Sequence, residues 1–144
     1  PGLTAEGVQQ AAALVPLLRG TNIQHLVVSP LLRCRLTAEP LAQALNLDME
    51  TDEDVIDQQP EEKPADVNVR MLRAVLNRSN SQVIALVSHA APLENLLKTL
   101  TRNAVQLPER DRRGCYLREG SVWRAVLHEG QWEAKLLPVD GYSA

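Results

Sequence analysis

Aromatic side chains are scarce in this chain of 144 residues: it has no phenylalanine, two tyrosines and two tryptophans. With so few, Trp123 and Trp132 suggest no stacking platform for nucleobases. An excess of positive charge is missing too. Fifteen Lys and Arg against eighteen Asp and Glu leave a net charge of −3, which argues against bulk binding to nucleic acid. Cysteine is limited to Cys34 and Cys115, with no CxxC spacing. The expectation is two free thiols in a cytoplasmic protein rather than a disulfide framework. Three histidines and two cysteines are too few for a zinc site, and no metal or other cofactor is expected. No apolar run approaches the length of a membrane span. The chain does not open on a basic-then-apolar leader, so nothing in it indicates export. Internal repeats and low-complexity segments are also absent.

What remains is ordinary for a globular domain: 44% apolar and 23% charged residues, in a length that suits one domain with its own core. Residues 3 to 20 carry apolar side chains at Ala5, Val8, Ala12, Val15 and Leu18, which is helical spacing. Thr4 is a candidate N-cap, Gly20 a candidate stop, and Pro16 should kink or loosen the last turn. Residues 23 to 29 read as a short buried strand. Residues 30 to 47 read as a helix with Pro30 in its first turn and a bend at Pro40. Residues 48 to 66 are acidic and contain two prolines; they read as a loop around a short strand near Met49, either a mobile lid or a solvated surface loop. A third helix is expected over 65 to 78, a second buried strand over 82 to 88 and a fourth helix over 92 to 102. A charged loop follows over 103 to 114. Residues 121 to 138 alternate as a hairpin turning at Glu129-Gly130. The expected fold is a three-layer α/β/α sandwich with a mostly parallel sheet and an antiparallel C-terminal hairpin at its edge.

Two joints stand out. In "LVVSPLLRCRLTAEPLA" a strand-like run ends at Ser29-Pro30 and the opening helix carries Arg33. In "ALVSHAAPLENLLKTL" a strand-like run ends at Ser88-His89 just before another helix. Ligands of open α/β sheets bind beyond the carboxyl ends of the strands, where both joints lie. A helix start offers free N–H groups and partial positive charge, which suits an anion. Arg33 early in a helix is electrostatically misplaced unless an anion bridges it to the helix end, and its planar fork suits phosphate oxygens. His89 could stabilise phosphoryl oxygens or pass a proton. Taken singly, an early Arg is usually a solvated charge and a His after a strand is often a hydrogen-bonded loop residue. The pair at equivalent joints favours one shared site. His25, inside a predicted strand, and His128, beside the hairpin turn, read as structural. Trp123 and Trp132 should pack against the sheet or each other.

At these residues the chain resembles the histidine phosphatase superfamily, the phosphoglycerate-mutase-like fold. Residues 3 to 7, "LTAEG", resemble its Leu-Thr-x-x-Gly helix start. "VVSPLLRCRLTAEPLA" resembles its Ser-Pro-x-x-Arg segment, "VIALVSHAAPLENLL" its second-histidine segment, and "GSVWRAVLHEGQWEAKLL" its closing hairpin. The small size is similar to the protein phosphohistidine phosphatase branch, with other small phosphomonoesterases close behind. The resemblance implies a metal-independent phosphatase working through a phosphohistidine intermediate on a phosphorylated small molecule or phosphoprotein. It implies that Arg33 binds phosphate, that His89 binds phosphate and assists transfer, and that the N–H of Ala90 helps. Phosphoryl transfer needs charge neutralisation and in-line positioning above all, which agrees.

The family's nucleophilic histidine lies in an Arg-His-Gly motif at the end of a first, central strand, and no Arg-His-Gly occurs in the sequence. The chain begins Pro1-Gly2-Leu3 without a methionine. The favoured expectation is therefore a single domain over 1–144 that is N-terminally incomplete, its first strand carried by another segment or chain. The alternatives are a pseudophosphatase that binds a phosphorylated ligand, and a scaffold used for protein contacts. Cys34 as a substitute nucleophile has no supporting signature. Glu53 and Asp54 fall roughly where some members hold a catalytic glutamate, but the local pattern differs and they are left out of the site. The resemblance implies that the missing strand lies between residues 23–29 and 82–88. Those two strands should then flank a gap filled from elsewhere, or close up and pair directly.

Overall fold

Leu26, Val27 and Val28 have no solvent exposure at all, and the architecture is built around them. In a strand, successive side chains point to opposite faces. Leu26 and Val28 pack with Cys34, Ala38, Leu41 and Ala42 on one side. Val27 packs with Val55, Val67, Met71, Ala74 and Leu96 on the other. A strand apolar on both faces has to be covered by helices on both, which gives the three layers.

The computed structural model describes residues 2–138. The elements are α1 (Ala5–Leu18), β1 (His25–Val28), α2 (Leu32–Leu45), β2 (Met49–Thr51), a 3-10 turn (Glu53–Val55), α3 (Pro64–Leu76), β3 (Ile84–Val87), α4 (Ala90–Leu100), β4 (Trp123–His128) and β5 (Gln131–Leu136). Thr4 caps α1 as the sequence suggests, its hydroxyl accepting from the Gly7 N–H at 3.0 Å. Pro16 lies inside α1, which nevertheless runs on to Leu18. Pro30 falls just outside α2, whose N-cap is Leu31. The short strand expected near Met49 forms as β2, and a 3-10 turn follows it in the 48–66 segment.

The parallel sheet has the order β2-β1-β3. β1 pairs β3 directly, from His25 opposite Ile84 to Val28 opposite Val87. The second of the two expected arrangements is therefore the one seen, and no gap separates these strands. The open edge among the described residues lies on the far side of β3. β3 reads Ile-Ala-Leu-Val yet all four residues are only partly buried, whereas β1 is sealed from Leu26 onward.

The hairpin forms as expected around Glu129-Gly130, both with positive φ (51° and 77°), the backbone that a two-residue hairpin turn requires. Register puts Trp123, Ala125, Leu127, Trp132, Ala134 and Leu136 on one face. The hairpin does not extend the parallel sheet: β4 and β5 make a separate two-stranded sheet. The expected antiparallel edge is thus detached, because among the described residues no strand bridges β3 and β4. The turn leading into β4 presses on α1 at Gly120, where an added Cβ would come within 2.7 Å of the Gln10 side chain.

Candidate functional site

β1 and β3 are neighbours and parallel, so the chain leaves both at the same end of the sheet. Each runs through a joint of two or three residues that opens on a serine into a helix. That places Ser29 and Arg33 of the β1–α2 joint beside His89, the N-cap of α4. Arg33 Nη2 lies 3.2 Å from His89 Nδ1, and Ser29 Oγ lies 2.8 Å from His89 Nε2. The two joints meet, as the sequence reading expected. Ala90 is the first residue of α4, so its N–H has no intrahelical acceptor and faces outward from the helix start.

The site has a buried and an open half. Ser29 is fully buried and His89 is 8% exposed. Half of the Arg33 side chain is exposed. Burial is the main cause that pushes the His89 imidazole below its ordinary value. The Arg33 and Arg70 charges push the same way, and Asp57 opposes them. His89 is accordingly a neutral ring beside a permanent cation. Cys34 packs against it, with Sγ 3.6 Å from Nε2 and donating to the Ser88 carbonyl at 3.5 Å. Burial raises the Cys34 thiol above its ordinary value. That favours the inert thiol over a thiolate and speaks against Cys34 as a nucleophile.

Sequence reasoning missed Asp57. Its Oδ2 lies 3.5 Å from Arg33 Nη2 and 3.9 Å from His89 Nδ1. A carboxylate therefore occupies the ground between the two basic side chains where an anion was expected. Arg70, also missed, holds it there. This arginine is 8% exposed, and its five N–H donors all have acceptors. Nε and Nη2 reach the two Glu62 oxygens at 2.8 Å each. Nη1 reaches the carbonyls of Asp54 and Ile56, and Nη2 that of Asp57. Ser88 adds a bond from its hydroxyl to the Val55 carbonyl at 2.7 Å. The loop over the site is thus pinned from α3 and from the end of β3. An arginine inside an amphipathic helix pattern reads as solvated, so only its burial reveals this clamp.

Other candidates lie elsewhere. Asp54 pairs with Arg73. His25 bonds Glu50 on β2, which Arg78 also grips, at the end of the sheet opposite Arg33 and His89. His128 is exposed beside the hairpin turn. Neither histidine reaches the Arg33–His89 cluster. No helix among the described residues is long and apolar enough to cross a membrane.

Comparison with known proteins bears on the fold. The sequence model described as histidine phosphatase superfamily (branch 1) matches residues 1–60. No curated protein matches the sequence. Among solved structures, YhfR of Bacillus stearothermophilus superposes with a TM-score of 0.73 at 18% identity, covering 93% of this chain and 83% of that one. The protein histidine phosphatase SixA in complex with tungstate gives 0.67 at 21% identity, covering 93% and 81%. The mycobacterial glucosyl-3-phosphoglycerate phosphatase Rv2419c in complex with VO3 gives 0.73 at 18%, covering 94% and 85%. The fold is that of these phosphatases, and the findings support the superfamily that the motifs resemble.

Proposed function

We propose that these residues belong to a phosphatase of the histidine phosphatase superfamily that acts on a phosphomonoester or a protein phosphohistidine. The nucleophilic histidine sits on a strand outside residues 1–144. Transfer goes through a phosphohistidine intermediate: the nucleophile's ring nitrogen bonds phosphorus as the leaving atom, an ester oxygen or the ring nitrogen of a phosphohistidine, departs and takes up a proton; water then attacks phosphorus, the P–N bond breaks and phosphate is released. Arg33, His89 and the Ala90 N–H hold the phosphoryl oxygens. The observation that carries this reading is the meeting of Arg33 and His89 at two adjacent helix starts, with a carboxylate between them. The open edge of β3 supports the docking of a further strand there, from a preceding segment or another chain. Such a strand, running parallel to β3, would end beside His89. The neighbours' phosphorylated substrates support the substrate class, and the unpaired Cys34 and Cys115 support a cytoplasmic setting.

A second reading is a binding module for phosphorylated ligands without turnover. It is favoured by the position of His89 as the sole histidine of the cluster, with His25 and His128 engaged elsewhere. Titration with phosphate or vanadate tests what both readings share. Arg33→Ala should weaken binding by roughly 1.5–3 kcal/mol, the worth of a charged hydrogen bond. Unchanged affinity in that variant would remove the site. Turnover of p-nitrophenyl phosphate by a form that includes the nucleophile strand, lost in His89→Ala, separates the enzyme from the binding module.

A further inference from the structure

We propose that Ser29 is a positioning residue that holds the His89 ring in its Nε2–H form, so that Nδ1 is the atom that takes up a proton when an anion binds. The proposal rests on the anion-site reading above and deepens it.

The argument starts from arginine, which donates hydrogen bonds and accepts none. Arg33 Nη2 sits 3.2 Å from His89 Nδ1. In the neutral ring Nδ1 must therefore offer its lone pair, and the single ring proton is on Nε2. That proton needs an acceptor, because the ring is 8% exposed. Ser29 Oγ supplies it at 2.8 Å. The competing acceptor, Cys34 Sγ, is farther away at 3.6 Å and weaker. Ser29 is itself fully buried at the end of β1, and the Leu31 N–H also points to its oxygen at 3.4 Å. The hydroxyl is thus fixed by backbone and cannot follow the ring elsewhere.

The charged and titratable groups around the ring come from three elements. Arg33 and Cys34 belong to α2, Asp57 to the loop before α3, and Arg70 to α3. Arg33 and Arg70 oppose a positive ring, and Asp57 favours one. An anion at Arg33 adds negative charge on the Nδ1 side. The ring then takes one proton from solvent at Nδ1 and donates at both ends, Nε2–H to Ser29 and Nδ1–H to the anion. Binding is coupled to proton uptake, so affinity should rise as pH falls toward the value at which the free ring protonates. Without Ser29, the Nε2 proton is left to the weaker and more distant Cys34 Sγ, and the ring loses its main anchor on that side.

Ring nitrogen chemical shifts of His89, with sulfate as the probe anion because its charge is constant across neutral pH, test this in the whole chain. The wild type should give the Nε2–H tautomer without sulfate and the doubly protonated ring with it. Ser29→Ala should lose the single tautomer and bind sulfate about fivefold to tenfold more weakly, as one buried hydrogen bond is worth. Ser29→Thr, which keeps the hydroxyl, should restore both. A wild-type ring protonated on Nδ1 in the free protein would overturn the proposal, with no variant needed. So would a Ser29→Ala protein whose ring shifts and sulfate affinity match the wild type. Sulfate that binds neither wild type nor Arg33→Ala sinks the anion site instead; the tautomer of the free ring then still decides the role of Ser29.

Discussion

Asp57 is the residue whose removal should be most informative. Its carboxylate stands 3.5 Å from Arg33, half exposed to water, where a ligand oxygen would be. Any anion has to displace it or share the arginine with it. A charge pair at this distance is worth on the order of 1 kcal/mol in a water-like dielectric and more where water is excluded. Asp57→Asn should therefore tighten binding of phosphate or vanadate by roughly fivefold, on the same estimate. Calorimetry that finds weaker binding in Asp57→Asn would mean that the carboxylate helps to hold the ligand. The sequence does not expose this role, because Asp57 stands in an acidic stretch in which every carboxylate looks alike.

The loop from Asp54 to Glu62 owes its shape to α3, and its stability should carry the signature of that clamp. Glu62 accepts two bonds from Arg70 and one from the Gln59 N–H, which hold its carboxyl down at about 2. The folded state thus binds the Glu62 proton less readily than the unfolded chain, whose carboxyl stays near 4.5. The stabilisation is fully present above about pH 4.5 and is lost as pH falls toward 2. Urea titrations across that window should show the wild type losing stability more steeply than Glu62→Gln. Parallel slopes would mean that the pair contributes nothing. Arg70→Ala should be the harsher change, since it strips the Asp54 and Ile56 carbonyls of their donor and takes two of the three bonds from Glu62; a loss of about 1–3 kcal/mol is expected for each carbonyl left unpaired.

The sheet as a whole is asymmetric. β1 has a strand on either side, whereas β3 has one neighbour and an open edge among the described residues. Backbone groups at such an edge exchange with water through small openings. Amide hydrogen exchange should be clearly faster at Ile84–Val87 than at His25–Val28. If a further strand docks at this edge as proposed, a preparation that contains it should slow the exchange. Equal protection in both strands of the isolated chain would mean that the β3 edge is already covered. On the proposed mechanism the 144 residues alone should give no measurable turnover of p-nitrophenyl phosphate, because no Arg-His-Gly occurs in them. Metal-free turnover by this chain, with intact mass showing no additional residues, would shift suspicion to His89.

Much of this protein was legible in the order of its residues. The alternation of apolar strands with helical patterns dictated helices on both faces of a parallel sheet, because a strand without a polar face has nowhere else to lie. Thr4 and Glu129-Gly130 marked a helix start and a hairpin, through bonds that reach only a few residues along the chain. Arg33 and His89 could be paired in advance because both follow strands that had to end at the same side. The tertiary structure alone decided which strands touch. It alone brought Asp57 between Arg33 and His89, turned Arg70 inward and set the Ser29 hydroxyl against His89 Nε2. Each of these is a contact across tens of residues or the burial of a residue that composition treats as surface, and no local pattern encodes either.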